Sequence, residues 1–187
     1  MSDSFVEWSA IVAGAVLACA ISLVLLQFGN ALNLSAAHFQ QEDHITATKL
    51  LMVGLWLFCV QLLASIAGGY LAGRMRAPWA SGKNSPESEL RDGAHGLLVW
   101  ATSTLIAVVA GALIALLGAF AAQHGLNTDQ NMHVPVDITR KTTIILAFGA
   151  AAGSIVSAVA AWWMGVVGGD HRDKGIVARG YVSFRRR

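Results

Sequence analysis

Four long stretches of the chain carry no charged side chain, and they constrain its fold more than any other feature. They cover residues 8–41, 50–73, 93–128 and 142–169. A helix needs about 20 apolar residues to cross the roughly 30 Å of hydrocarbon in a bilayer. Each stretch is therefore long enough for one crossing and too short for two. The pattern predicts an all-α fold, an integral membrane bundle of four transmembrane helices.

The predicted helices lie at about 8–30, 49–73, 94–122 and 142–168, in a single transmembrane domain that covers residues 1–187. Helices are expected because backbone polar groups in lipid must bond within their own segment. A β-barrel is excluded because the apolar runs are continuous and do not alternate. Charged residues make up only 13% of the chain, about half the share in soluble domains. The chain therefore has no room for a separate soluble domain.

The first span is predicted to stay in the mature protein. A signal peptide begins with positive charge, whereas residues 1–8 contain Asp3 and Glu7 and neither Lys nor Arg. The cysteines, Cys19 and Cys59, both lie inside apolar spans. There they are expected to act as small packing residues.

Lysine and arginine concentrate in two segments of the chain. Ten of the thirteen lie in the 74–92 connection and in the basic tail at 170–187. Positive charge marks the cytoplasmic side of a membrane protein. Both termini are therefore predicted to face the cytoplasm, and the 31–48 and 123–141 loops to face outward. The expected location is the bacterial inner (plasma) membrane.

Small residues recur every four positions in all four predicted helices. In lipid, such faces let helix backbones approach closely and pack. The longest series, here named the helix-four ridge, consists of Gly149, Gly153, Ser157, Ala161, Gly165 and Gly169. The other series are Ala10, Gly14, Ala18 and Ser22, then Ala64, Gly68 and Ala72, then Ala107, Gly111, Ala115 and Ala119. These faces are expected to hold the four helices together within one subunit, and the alternative is that one ridge, in the first place the helix-four ridge, also forms an oligomer interface.

Within the ridge, Gly153 and Gly165 are each predicted to lie where the backbone of another helix passes closely. The order of the spans also fits two parallel helical hairpins, with Gly68-Gly69 and Gly168-Gly169 near their ends. Parallel repeats are a known construction, although small residues near helix ends account for the same match. Ser85-Pro86-Glu87 has the residues of a helix start and predicts a short surface helix before helix three.

The interiors of the predicted spans contain no ionisable residue, which lowers the expectation of ion-coupled transport. Gln61 is the one costly polar group there, and it is predicted to hydrogen-bond to a neighbouring helix. Charged residues gather instead at the predicted cytoplasmic helix ends, where they would form a charged collar. Its members are Glu7, Arg74, Arg91, Asp92, His95, Asp170, His171, Arg172 and Asp173. The collar either sets helix depth and pairing, or acts as a gate around Arg74, Asp92 and His95 or as a docking surface.

Histidines and carboxylates lie together in the two predicted outward loops. They are His38, His44, His124 and His133, with Glu42, Asp43, Asp129 and Asp137 nearby. Histidine and carboxylate can bind zinc or copper, but these spacings match no ligand pattern. The sequence also contains no catalytic triad, phosphate-binding loop or HExxH motif. We therefore predict no catalytic residue, no metal site and no cofactor.

Three segments resemble a known group of proteins. Trp8-Ser9-Ala10-Ile11-x-Ala13-Gly14 opens helix one, Gly68-Gly69-x-x-Ala72-Gly73-Arg74 ends helix two, and Arg91-Asp92-Gly93-Ala94-His95-Gly96 opens helix three. Together they look like bacterial four-helix inner-membrane proteins of unknown function, some of them labelled "PhnA-like". That label implies a zinc ribbon, which needs clustered cysteines that this sequence lacks. The resemblance implies a bacterial membrane protein and supplies no activity.

These observations favour a non-enzymatic integral inner-membrane protein, a structural or accessory subunit that packs through its small-residue helix faces. Its expected partners are the lipid bilayer and either further copies of itself or a larger membrane complex, with no nucleic acid. The alternative is a small oligomeric channel or transporter with its conduit between subunits.

Overall fold

A computed structural model of the protein describes residues 5–32, 47–77, 86–124 and 136–176. These residues form four helices and no strand: α1 Trp8–Ala31, α2 Ala47–Met75, α3 Pro86–Gln123 and α4 Val136–Asp173. Each helix contains a stretch that is long enough and apolar enough to cross a membrane. The all-α, four-helix class predicted from the sequence is confirmed, and the chain has the make-up of a multi-pass membrane protein.

The start of α3 differs from the prediction. The short surface helix expected to begin at Ser85-Pro86-Glu87 and to end before helix three does not form separately, because a single helix runs from Pro86 through to Gln123. Proline suits the first helical position, and Glu87 and Glu89 in the first turn complement the helix dipole. The segment also buries Ser88, Asp92 and other side chains, so it packs into the bundle as the first turns of α3.

The helix directions follow from the glycine contacts. Gly69 and Gly73 on α2 meet Ala161 and Gly165 on α4 in the same order, so these two helices run parallel. Gly14 on α1 meets Gly68 on α2, while Gly29 meets Trp56, so α1 and α2 are antiparallel.

In the second hairpin, α3 is antiparallel to α4, since Gly96 meets Ala161 while Asp92 lies at Gly165 and Gly169. The helices therefore form two hairpins that point the same way. The contacts are not two-fold symmetric, because α2 touches α3 whereas α1 and α4 have no contact among the described residues.

Close backbone packing is concentrated where Gly14, Gly69, Gly96 and Gly165 lie. A Cβ atom added to Gly14 would stand 2.6 Å from the carbonyl oxygen of Gly68, and one added to Gly69 would stand 2.5 Å from that of Ala161. Ordinary contacts of this kind are 3.4 Å or longer. We name this end of the bundle, which also carries the charged residues, the charged end.

The helix-four ridge is only partly used as expected. Gly165 lies against the backbone of α3, since a Cβ atom added to it would stand 2.5 Å from the carbonyl oxygen of Asp92, so that prediction is confirmed. The prediction for Gly153 is wrong, because the nearest neighbour of a Cβ atom there is the ring of Phe58 at 3.2 Å. Gly149 is exposed and has nothing within 4 Å. The reason is that α2 and α4 separate away from the charged end, leaving room for a phenyl ring at Gly153.

Candidate functional site

The charged collar predicted from the sequence is the most elaborate polar structure in the described part of the chain. Its centre is Asp92, in the second turn of α3 and 2% exposed. Arg76, just after α2, donates from Nε to Asp92 Oδ1 at 2.5 Å. Arg172, in the last turn of α4, donates from Nη1 to Oδ1 and from Nη2 to Oδ2, both at 3.3 Å. One carboxylate therefore joins three helices.

Glycine makes the space that this carboxylate occupies. Gly169 on α4 lies directly against the side chain of Asp92, and any Cβ atom there would collide with Oδ2. Gly165, one turn earlier, lies against the backbone of the same residue. The last two glycines of the ridge thus allow α3 to bring a charged group between α2 and α4.

Arg172 also binds the carboxyl end of α2. Its Nη1 donates to the carbonyl oxygens of Gly73 at 2.8 Å and Arg76 at 3.2 Å, and its Nε donates to Asp173 Oδ1 at 2.8 Å. The last carbonyl groups of a helix have no partner within it. Arg172 supplies that partner from α4, so it fixes the end of α2 as well as Asp92.

A second set of bonds ties the segment before α1 to the same end. The backbone N–H of Glu7 donates to His95 Nε2 at 2.9 Å, and His95 Nδ1 lies 2.7 Å from the carbonyl oxygen of Arg91. Only a neutral ring with its proton on Nδ1 satisfies both bonds. His95 is 0% exposed, so it acts as a fixed connection between α1 and α3.

The Glu7 side chain extends this connection to α2. Its two carboxylate oxygens accept from the backbone N–H of Ala77 at 2.9 and 3.2 Å. Arg91 lies 3.6 Å from the same carboxylate and donates from Nε to the carbonyl oxygen of Phe5 at 2.6 Å. The residues before α1, the end of α2 and the start of α3 are thereby held together.

The three residues proposed as a gate do not form one network. Arg74 donates to the carbonyl oxygen of Ile176, while Asp92 binds Arg76 and Arg172. His95 belongs to the separate set around Glu7. Sequence reasoning placed Arg74 in the collar and missed Arg76. Arg76 could have been placed in the collar from the sequence, since only residues 77–85 separate it from α3.

The remaining collar members lie at its edge. Lys174 and Asp170 form an exposed pair at 2.8 Å, and the Tyr70 hydroxyl lies 3.2 Å from His171 Nδ1. Nearer the middle of the bundle, Gln61 Nε2 donates to Ser154 Oγ on α4 at 2.9 Å. The predicted bond from Gln61 to a neighbouring helix is confirmed.

Most of the histidines in the predicted outward loops lie outside the residues that the structure describes. Only His124 is described, and its Nδ1 lies 2.9 Å from the carbonyl oxygen of Phe120. The structure describes no side chain for the others, which are His38, His44 and His133 with Glu42, Asp43, Asp129 and Asp137. Among the residues that are described, no group of three or more His, Cys, Asp or Glu could hold a metal ion.

The collar holds the helices together, and the polar atoms of Asp92 and His95 at its centre are occupied by hydrogen bonds within the chain. Both oxygens of Asp92 and both ring nitrogens of His95 are bonded within the chain. A general acid or base must instead reach a substrate proton.

Comparison with protein-family models, curated proteins and solved structures finds no match.

Proposed function

We propose that the protein is a non-enzymatic integral membrane protein, a structural or accessory subunit that associates with further copies of itself through α3. The observation that carries this proposal is the far half of α3. Every residue from 105 to 120 is exposed, including the small series Ala107, Gly111, Ala115 and Ala119. Gly111 and Gly118 have nothing within 4 Å.

The other three helices bury most of their small-residue positions, unlike the far half of α3. On α1 and α2, Gly14 and Gly68 are buried against each other, and on α4 the ridge is buried from Gly153 to Gly169. In lipid, an apolar surface alone does not favour helix association, because lipid tails are equally apolar. A small-residue face does favour it, through close van der Waals contact. The face on α3 is the one that the described part of the bundle leaves without a helix.

A complementary surface lies between α2 and α4. Where these helices separate, they enclose an apolar groove of about 600 Å³, the α2–α4 groove. Its lining includes Gly54, Leu55, Phe58, Gly149, Ala152 and Gly153. At Gly54 and Gly149 nothing lies within 4 Å of an added Cβ atom, so these two positions leave room for the backbone of an incoming helix.

The groove and the α3 face lie at the same depth. Gly69 and Gly96 both pack against Ala161, so these three residues mark one level. Gly111 is 15 residues beyond Gly96, and Gly54 is 15 residues from Gly69 in the same direction. At 1.5 Å per residue, both lie about 22 Å from that level. Two copies side by side in one bilayer would therefore bring α3 of one to the groove of the other.

Substitution of Gly111 by leucine tests the proposal. The added side chain should lower the oligomer fraction measured by cross-linking in native membranes, while the melting temperature of the dispersed subunit stays unchanged. Val109→Leu, on the opposite side of α3 and also exposed, is the matched control. Purification in mild detergent that yields only monomers, with no second protein, would contradict the proposal.

We propose further that the charged end and both termini face the cytoplasm of a bacterium, with the chain in the inner membrane. The support is the concentration of arginine and lysine in the 74–92 connection and the tail. Reporter fusions after Leu34 and after Asn127 should read outside. A cytoplasmic signal at either position would reverse this orientation.

A further inference from the structure

Gln61 lines the α2–α4 groove with most of its hydrogen-bonding capacity unused. Its amide has one acceptor oxygen and two N–H donors, and among the described residues only Nε2 is paired, donating to Ser154 Oγ at 2.9 Å. A Cβ atom added to Gly153, which also lines the groove, would stand 3.7 Å from Oε1, so the unpaired oxygen borders the open space. Inside a bilayer no water satisfies such a group. The groove therefore favours an occupant that brings a hydrogen-bond donor to the depth of Gln61.

Thr104 is the polar residue that α3 brings to this depth. Gly69 and Gly96 mark one level of the bundle, since both pack against Ala161. Gln61 is eight residues from Gly69, and Thr104 is eight residues from Gly96, both away from the charged end. At 1.5 Å per residue, each lies about 12 Å from that level. In copies that stand side by side in one bilayer, the two side chains are therefore at the same depth.

Thr104 also points to the side of α3 that carries the exposed small residues. Seven residues separate it from Gly111, and seven more lead to Gly118. At 3.6 residues per turn, seven positions return to within about 20° of the same direction. Val99, which is fully buried in the bundle, points about 140° away from Thr104. Thr104 is partly exposed, and it extends the α3 face toward the charged end.

We infer, on the basis of the association proposed above, that the Thr104 hydroxyl of one copy donates to Gln61 Oε1 of the next when α3 occupies the α2–α4 groove. Within its own helix, the Thr104 hydroxyl donates to the carbonyl oxygen of Trp100 at 2.7 Å. That carbonyl also accepts from Ser103 Oγ at 3.0 Å, so it stays paired when the Thr104 hydroxyl turns away. A lipid acyl chain would fill the groove but leave Oε1 without a donor.

Thr104→Val is the informative variant, because it nearly keeps the shape of the side chain and removes the hydroxyl. Self-association of the full chain in liposomes is measured by energy transfer between labelled copies. We expect Thr104→Val to weaken it about 3- to 15-fold, the range that hydrogen bonds between membrane helices give. In a Gln61→Leu background, Thr104→Val should have no further effect. Thr102→Val is the matched control, since Thr102 points about 160° away from Thr104, and it should leave association unchanged.

Chemical cross-linking tests whether the contact joins two copies. Copies with Gln61→Cys are mixed with copies with Thr104→Cys, both in a background with Cys19→Ser and Cys59→Ser. The length of the glutamine side chain separates the two Cβ atoms beyond disulfide distance, so a short bifunctional thiol reagent is used. It should join the two kinds of copy in the liposome membrane. A mixture of Gln61→Cys with Thr102→Cys should give no such product.

The outcomes distinguish this contact from the association itself. A loss in Thr104→Val but not in Thr102→Val, together with the mixed cross-link, supports the contact. Association that Gly111→Leu lowers but Thr104→Val leaves unchanged overturns the contact, while the α3 interface stands. Equal weakening by Thr104→Val with and without Gln61→Leu also overturns it, because the two side chains then act independently. Wild-type protein that stays monomeric in liposomes overturns both the contact and the proposed association.

Discussion

Replacing Gly165 by alanine tests whether close backbone packing holds this bundle together. The new methyl group would stand 2.5 Å from the carbonyl oxygen of Asp92 and 3.2 Å from both N and Cα of Gly96. The first distance is about 0.9 Å short of the 3.4 Å at which ordinary contact begins. Backbone atoms cannot turn aside as a side chain can. We therefore expect α4 to move away from α3 by about that amount.

The displacement would also weaken the charged collar. Arg172 on α4 holds Asp92 on α3 through two bonds of 3.3 Å, which have little length to spare. Overpacking a tight interior lowers the unfolding free energy by about 1–3 kcal/mol. Because the bonds between Arg172 and Asp92 would weaken as well, we expect Gly165→Ala to lower it by about 3 kcal/mol. For a chain of this size, that corresponds to a fall in melting temperature of about 6–12 °C.

Thermal unfolding in mild detergent measures the effect, with Gly149→Ala as the matched control. Gly149 lies on the same ridge but is exposed and has nothing within 4 Å. Its substitution should change stability by less than about 0.5 kcal/mol. If the two variants melt within about 2 °C of each other, the ridge does not pack against α3 as described.

Three further predictions concern the polar contacts, and unfolding in the same detergent measures each of them. Asp92→Asn should lower the unfolding free energy by about 3–5 kcal/mol, because the buried Arg76 and the partly buried Arg172 lose their shared carboxylate. A loss below about 1 kcal/mol, the value expected for exposed pairs such as Lys174 with Asp170, would contradict this. Ser154→Ala should cost about 0.6 kcal/mol, and a double-mutant cycle with Gln61→Leu should show coupling. His95→Leu should cost about 1–3 kcal/mol by leaving the Glu7 N–H unpaired, and no loss would refute its connecting role.

The sequence alone determined the class of the protein and several of its internal contacts. A charge-free stretch of membrane length has few other stable states, so the number of helices followed from length and charge. Gln61 could be expected to bond across helices because an unpaired amide inside a span is costly. The gathering of charges at helix ends likewise required no tertiary information.

Tertiary structure decided which members of a repeating pattern are used. Gly153 and Gly165 belong to one series of α4 with a four-residue spacing, yet of these two only Gly165 meets a backbone, that of α3, while Gly153 meets the ring of Phe58 on α2. The small series on α3 looks equivalent to the others in the sequence, but it stays exposed along its whole length. A four-residue spacing of small residues indicates where a helix could pack closely, but it carries no information about the distance to the next helix.

Arg74 and Arg76 show the same limit at the scale of single side chains. Arg74 lies in the last turn of α2 and Arg76 directly follows the helix, and the sequence gives no reason to treat them differently. Arg74 bonds to the carbonyl oxygen of Ile176, whereas Arg76 turns inward to Asp92. The difference comes from the rotation of α2 against α3 and α4, since residues two apart point to different sides of a helix. That rotation is set by glycine contacts between helices far apart in the chain, which no local pattern encodes.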